Sequence, residues 1–203
     1  ATGGTDVAMN DLNYPVSVAF IPSAAGDAAL VTEHYYNVPS NQVLRVQVEH
    51  YDVRLLAPVA GARVDRTFLD HAVGAHARFN CDDVAVDPTG TFALVADGFN
   101  NRVRKIDLAE GGSFAVTTLA GPESAATFIM PTGVAIGVNA ATGKSFAVVC
   151  AGYGNSGHNV HLISDLETGA TETIAGNSIP GTNSPADTQV AGADARFNGL
   201  HSV

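Results

Sequence analysis

The sequence predicts an all-β fold assembled from repeated four-stranded antiparallel units, and three observations carry that expectation. First, sliding the chain along itself aligns four segment openings: LNYPVSVAF (12–20), FNCDDVAVDP (79–88), FIMPTGVAI (128–136) and FNGLHSV (197–203). In three of them a Leu or Phe stands six residues before the Val that opens an apolar run, as in Leu12/Val18, Phe128/Val134 and Phe197/Val203; the second is one residue shorter, Phe79/Val84. Second, each of the three complete openings leads into three more short segments rich in β-branched residues and bounded by Gly, Asn, Asp or Pro. Third, no stretch longer than two helical turns shows helical apolar periodicity.

Taken in order, the first unit (12–61) reads VSVAFIP, ALVTEHY, NQVLRVQVE and DVRLLAPVAG. The second (79–121) reads DDVAVDPTG, FALVADG, NRVRKIDLA and FAVTTLAG, and the third (128–176) reads GVAIGV, SFAVVCAGY, NVHLISDLE and TETIAG. Each unit closes on Ala-Gly, at Ala60-Gly61, Ala120-Gly121 and Ala175-Gly176. Turn chemistry fits the joints: Pro88-Thr89-Gly90, Glu110-Gly111-Gly112 and Glu167-Thr168-Gly169 supply residues that tolerate tight or left-handed conformations. Inner strands such as VAVDP read nearly continuously apolar, as a strand covered on both faces does, whereas outer strands such as NRVRKID carry charge. Tandem units of this kind predict a β-propeller, each unit being one blade. Propellers close with about four to eight blades, so three units and the opening of a fourth (197–203) predict an incomplete ring. The expectation is a fragment of a longer protein, or a half-ring completed by association, with long connectors at 62–77 and 177–195.

The segment 77–121, ARFNCDDVAVDPTGTFALVADGFNNRVRKIDLAEGGSFAVTTLAG, resembles an NHL repeat, whose pattern runs ARFN-x-P-x-GVAVDP-x-G-x-LYVAD-x-x-NHRIRKI and ends near T-LAG. Weaker copies cover 12–61 and 128–176. The acidic residue of the family's AD step is Asp97 in the second unit, Glu33 in the first and Ala151 in the third; the Asn-x-Arg step is Asn101-Arg102-Val103, Asn41-Gln42-Val43 and His158-Asn159-Val160. Glu33, Asp97 and Asn101 are expected to be turn-structural, because Asp and Asn side chains accept backbone N–H bonds in turns. Phe79, Phe128 and Phe197 are expected to plug the core between blades.

Function must be read from sites, since propellers host many activities. With 20 Asp and Glu against 10 Lys and Arg, the chain carries a formal charge of −10, which argues against nucleic-acid binding, although some NHL propellers bind RNA. Only Arg102, Arg104 and Lys105 cluster. No apolar run approaches the roughly 18 to 20 residues of a membrane-spanning helix, so no membrane insertion is expected. The column just before the inner strand holds Val16, Asp82, Thr132 and His201, the candidate ligand-binding residues facing the channel. Val and Thr cannot complete a metal site there. His158 and His161 are the only close histidine pair and read as turn residues facing solvent; Asp82, Asp83 and Asp87 form the densest acidic group, yet Asp87-Pro88 reads first as a turn. Neither G-x-S-x-G nor a complete phosphate-binding loop occurs.

The expectation is therefore a non-enzymatic, acidic binding or scaffold module with no catalytic residues, no metal ligands and no cofactor. Its partners would be another protein or the remaining blades, and an extracellular or cell-surface setting is favoured over others. The alternative is half of a metal-dependent propeller enzyme holding zinc or calcium, like the amidating lyases or lactonases that NHL proteins resemble in fold.

Overall fold

A computed structural model describes residues 14–22, 28–34, 41–49, 52–62, 67–109, 111–124, 128–153 and 156–176, together with 197, 200, 201 and 203. The β-branched segments pair with their sequence neighbours as antiparallel strands. β1 (Pro15–Ile21), β2 (Ala28–Glu33), β3 (Gln42–Glu49) and β4 (Asp52–Ala60) form one sheet. β5 (Cys81–Val86), β6 (Phe92–Asp97), β7 (Arg102–Asp107) and β8 (Val116–Ala120) form the second, and β9 (Pro131–Val138), β10 (Ser145–Tyr153), β11 (Ser156–Ile163) and β12 (Thr171–Ala175) the third. Helical structure among the described residues is confined to single 3₁₀ turns at Gly74–His76, Gly98–Asn100 and Pro122–Ser124. The sheets meet through their first strands, with β5 packed against β1 on one side and β9 on the other. This is the blade arrangement of a β-propeller, and the three blades do not close a ring.

Register shows the repeat residue by residue. Val18, Val84 and Val134 on the inner strands stand opposite Val31, Val95 and Val149. Those residues face Leu44, Arg104 and His161 on the third strands. The fourth strands end with Ala60, Ala120 and Ala175 opposite Val43, Val103 and Val160.

The closing Ala-Gly has a steric cause. Gly61 and Gly176 have φ of +103° and +92°, and a Cβ on either would overlap a carbonyl oxygen at the start of the third strand, that of Asn41 or His158. Only glycine allows both the backbone angle and that approach.

Two apolar seams hold the blades together. In the first, Leu30, Val43 and Val59 pack against Phe79, Val84, Val95 and Ile106. In the second, Leu94, Val103 and Leu119 pack against Phe128, Val134, Val149 and Ile163. Phe79 and Phe128 are buried and Phe197 is half-buried; each fully buried Phe contributes about 1.5 to 3 kcal/mol. Part of the connector 62–77 adheres to the second blade, where Leu69 bridges Arg78 and His71 bridges Val116. The connector 177–195 lies outside the described residues.

Replacing Gly61 by Ala is expected to cost about 2 kcal/mol or more, because positive-φ strain and the clash with Asn41 add. Gly111, at φ +72°, has open space where a Cβ would go, and Gly111→Ala is expected to cost about 1 kcal/mol from backbone strain alone. Urea denaturation of the two variants separates the contributions.

Candidate functional site at the inner-strand bulges

Each inner strand carries a one-residue bulge near its start. In β1, Pro15 faces Glu33 and Ser17 faces Thr32, which leaves Val16 as the extra residue. In β5, Cys81 faces Asp97 and Asp83 faces Ala96, leaving Asp82; in β9, Pro131 faces Ala151 and Gly133 faces Cys150, leaving Thr132. Val16, Asp82 and Thr132 thus occupy one column at the same level of successive blades. Bulges bend the strand and re-aim the extra side chain.

The column does not act as one group. Val16 is exposed. The Asp82 carboxylate lies 2.7 Å from Nδ1 of His34, a residue outside the column at the end of β2. Thr132 Oγ1 donates to the Leu200 carbonyl at 2.7 Å, which places exposed His201 beside it in the chain. Behind Asp82 runs a buried polar seam. His34 Nε2 is 3.2 Å from Asn80 Nδ2, which donates to Asn41 Oδ1 at 3.4 Å. Gly98 permits the packing, since a Cβ there would overlap the Asp82 carboxylate and approach Pro131 O at 3.2 Å. Sequence reasoning missed His34 and Asn80. Their only sequence signal is adjacency to Glu33 and Phe79, and the contact joins residues 46 apart.

The acidic group at 82–87 is divided among three tasks. Asp82 engages His34. Asp83 accepts from Ser17 Oγ of the first blade, from Val84 N at 2.9 Å, and from Val134 N of the third blade at 2.9 Å. Asp87 accepts from Thr89 N at 2.9 Å and Thr89 Oγ1 and, across to β10, from Ser145 Oγ at 3.0 Å. Burial works against the charge on Asp87, but the Thr89 and Ser145 donors outweigh it and hold its pKa below the ordinary carboxylate value. Among the described residues no three His, Cys, Asp or Glu converge as a metal site.

Other chemistry-bearing side chains are also engaged in packing. Cys81 Sγ, fully buried, donates to the carbonyls of Glu33 and Gln42 at 3.2 and 3.4 Å. Burial, then the charges of Asp97 and Asp82, push its thiol well above the usual range; burial and Asp83 push Cys150 up to about 11. Neither is a thiolate at neutral pH. His158 and His161 differ from the expectation of solvent-facing turn residues: both are buried. His161 stacks edge-on against Phe128 at 5.0 Å, and burial lowers its pKa, so it is neutral. The reason is packing: β11 lies inside its sheet between β10 and β12, and His161 packs against Phe128.

Asp97 and Asn101, two of the residues expected to be turn-structural, bond beyond their own turns. Asp97 Oδ1 accepts from Asn100 Nδ2 and from Asn80 N, the lead-in to β5, each at 2.7 Å, while Oδ2 accepts from Arg104 at 2.9 Å. Arg104, itself fully buried, also donates to Arg78 O at 3.0 Å and to Asp70, which caps Thr118 N. Burial raises the Asp97 pKa although Asn80, Arg104 and Asn100 all act to lower it. Asn101 adopts the left-handed conformation at φ 54°, and its Oδ1 accepts from Met130 N at 2.9 Å, linking it to the next blade. Glu33 is buried opposite Gln42, whose Nε2 donates to Gly61 O at 2.8 Å. The basic cluster is drawn inward as well: Arg102 pairs with Glu123 and sits 3.4 Å over the Phe68 ring, and Lys105 donates to Leu166 O at 3.2 Å.

The repeat fills the Asp97/Arg104 positions differently in each blade, with Glu33 and Leu44 in the first and Ala151 and His161 in the third. Arg104→Leu alone strands the Asp97 charge and is expected to cost about 3 to 5 kcal/mol. Adding Asp97→Ala is expected to recover at least half of that loss in a double-mutant cycle followed by chemical denaturation.

No family model matches the chain, and no curated protein matches it. Solved structures do. A Bacteroides thetaiotaomicron structural genomics protein of unknown function aligns with a TM-score of 0.56 at 15% identity, covering 93% of this chain and 41% of that one. An auxiliary nutrient binding protein from Bacteroides ovatus aligns with a TM-score of 0.55 at 13% identity, covering 82% of this chain and 38% of that one. A nidogen/laminin complex aligns with a TM-score of 0.53 at 12% identity, covering 83% of this chain and 51% of the matched one. The chain therefore spans about half or less of the structures it resembles, and the likeness is one of fold: a partial β-propeller.

Proposed function

We propose that the chain is part of an NHL-type propeller used as a non-enzymatic recognition module for a protein or a small ligand, within a longer protein whose further blades complete the ring. The blades of this part are 12–61, 79–121 and 128–176, with 197–203 opening another. The observation that carries the reading is a contrast at one repeat position. Val84 and Val134 are 4% and 3% exposed because a preceding blade covers them, whereas Val18 is 60% exposed. Val16 and Phe20 beside it are exposed too, although Ala29, Val31 and Val46 farther out on the same sheet are buried. The opposite end repeats the contrast: Ile174 is exposed where the equivalent Val59 and Leu119 are buried. Both surfaces have the shape and chemistry of a blade seam, so another blade is the fitting occupant.

Recognition, not catalysis, is supported by the use of the chemically capable side chains. Asp83, Asp87 and Cys81 serve the seams, the Asp97–Arg104 pair holds its own blade, and Cys150 is a buried thiol. The likeness to an auxiliary nutrient binding protein agrees with a binding role. What remains variable between blades is the connectors, where propellers carry recognition.

In the intact protein, Val18→Asp is expected to cost about 3 kcal/mol or more, as a charge buried in a seam does. A change within about 0.5 kcal/mol, typical of an exposed site, would show that no blade covers this face. Replacing 177–195 by a Gly/Ser segment of equal length is expected to abolish partner binding, read by surface plasmon resonance, without changing Tm. Retained binding would remove the connectors from the recognition surface.

A further inference from the structure

Proximity in the sequence pairs His158 with His161, but both are buried, and the fold brings a different pair together at the surface. His71 and His76 lie five residues apart in the connector 62–77. Their ring centres are 4.9 Å apart and their ring planes meet at 78°. His76 is exposed and His71 half-buried.

The backbone that carries them is fixed on both sides. His71 N donates to Val116 O at 3.0 Å and Val116 N donates back to His71 O at 2.9 Å, which joins His71 to the outer edge of β8. The 3₁₀ turn Gly74–His76 is held between two blades, with Gly74 N donating to Ser113 O at 2.8 Å and Gly61 N donating to Gly74 O at 3.0 Å. A Cβ on Gly74 would overlap the carbonyl oxygens of Val59 and Phe114, so only glycine allows that fit. His76 N closes the turn onto Val73 O at 3.0 Å. Because the backbone is already ordered, bringing the two imidazoles to one ligand costs side-chain freedom alone.

We propose that His71 and His76 together bind one divalent transition-metal ion of the imidazole-preferring class, Cu(II), Ni(II) or Zn(II), with water in the remaining positions. When a nitrogen of each ring sits about 2.0–2.1 Å from one ion and the two bonds are near a right angle, the ring centres fall about 5 Å apart. The observed separation matches. His71 also has the outer support that ligating histidines use. Its Nδ1 lies 3.1 Å from Val73 O, so a proton on Nδ1 is donated to that carbonyl and the lone pair is kept on Nε2. In the other tautomer Nδ1 accepts from Val73 N at 2.9 Å, and a metal on Nε2 selects the first. Ca(II) and Mg(II) suit the pair poorly, because they take oxygen ligands. Two protein ligands are fewer than a closed structural zinc site uses, so the site is open and exchangeable.

Titration calorimetry of the intact protein with the chlorides of Cu(II), Ni(II) and Zn(II), with Ca(II) as comparison, tests the proposal. Cu(II) is expected to bind more tightly than Ni(II) or Zn(II), and its electron paramagnetic resonance spectrum is expected to show coupling to two imidazole nitrogens. His71→Ala and His76→Ala are each expected to weaken Cu(II) binding by about tenfold or more and to remove one of the two couplings. Each is also expected to reduce the rise in Tm that Cu(II) produces. Far-UV circular dichroism checks the fold of the variants, and His76→Gln repeats the test with a polar side chain of similar size. Cu(II) binding within about twofold of the unsubstituted protein in all three variants would show that the rings only stack, and overturns the proposal. A Cu(II) spectrum that keeps the same nitrogens in every variant, or Ca(II) binding lost with either histidine, overturns it as well.

Discussion

The constraint on which everything else depends is that an inner strand must be covered on both faces by its neighbours. β5 shows what that demands. Its outward-facing valine disappears into the seam with the first blade, and the Asp83 carboxylate reaches Ser17 of one neighbour and the Val134 N–H of the other. A carboxylate so placed is satisfied only when three blades stand at fixed height relative to one another. Apolar burial supplies the attraction, which is non-directional. The shared carboxylate supplies the registration.

Polar groups in the seams follow from the same geometry. Where strands end, backbone donors and acceptors lose their ladder partners and must find others. Asn80 N turns to Asp97, Met130 N to Asn101, and Gly61 O to Gln42. These residues look like catalytic or ligand-binding candidates by type, and the structure employs Asp97 and Gln42 within their own blades and Asn101 as a link to the next one. The Asp97–Arg104 pair is the costliest of these devices, since both charges are desolvated, and the other two blades do without it.

The strands, their order and the Ala-Gly closures were legible in the sequence because each depends on local chemistry: β-branched runs, turn residues, and a glycine wherever the chain passes over a carbonyl with positive φ. Val16, Asp82 and Thr132 each stand two residues before a recognisable valine, but that they are the extra residues of bulges is shown only by the register. His34 and Asn80 were not legible, because their meeting depends on how two blades are rotated together. The burial of His158 and His161 also escaped a reading by composition, which has no access to which face of β11 a neighbour covers.

By itself the sequence determined an all-β chain of repeated four-stranded units with an acidic balance, because hydrophobic period and turn composition are properties of neighbouring residues. Only the tertiary structure decided which side chains carry structural load. Arg45 and Lys105 occupy the same repeat position and look equivalent in a list of residues. The partner of Lys105 is set by the turn of the following blade, 61 residues away, which offers it the Leu166 carbonyl. Desolvation and hydrogen bonding act through space, and that pairing is invisible until the blades are packed.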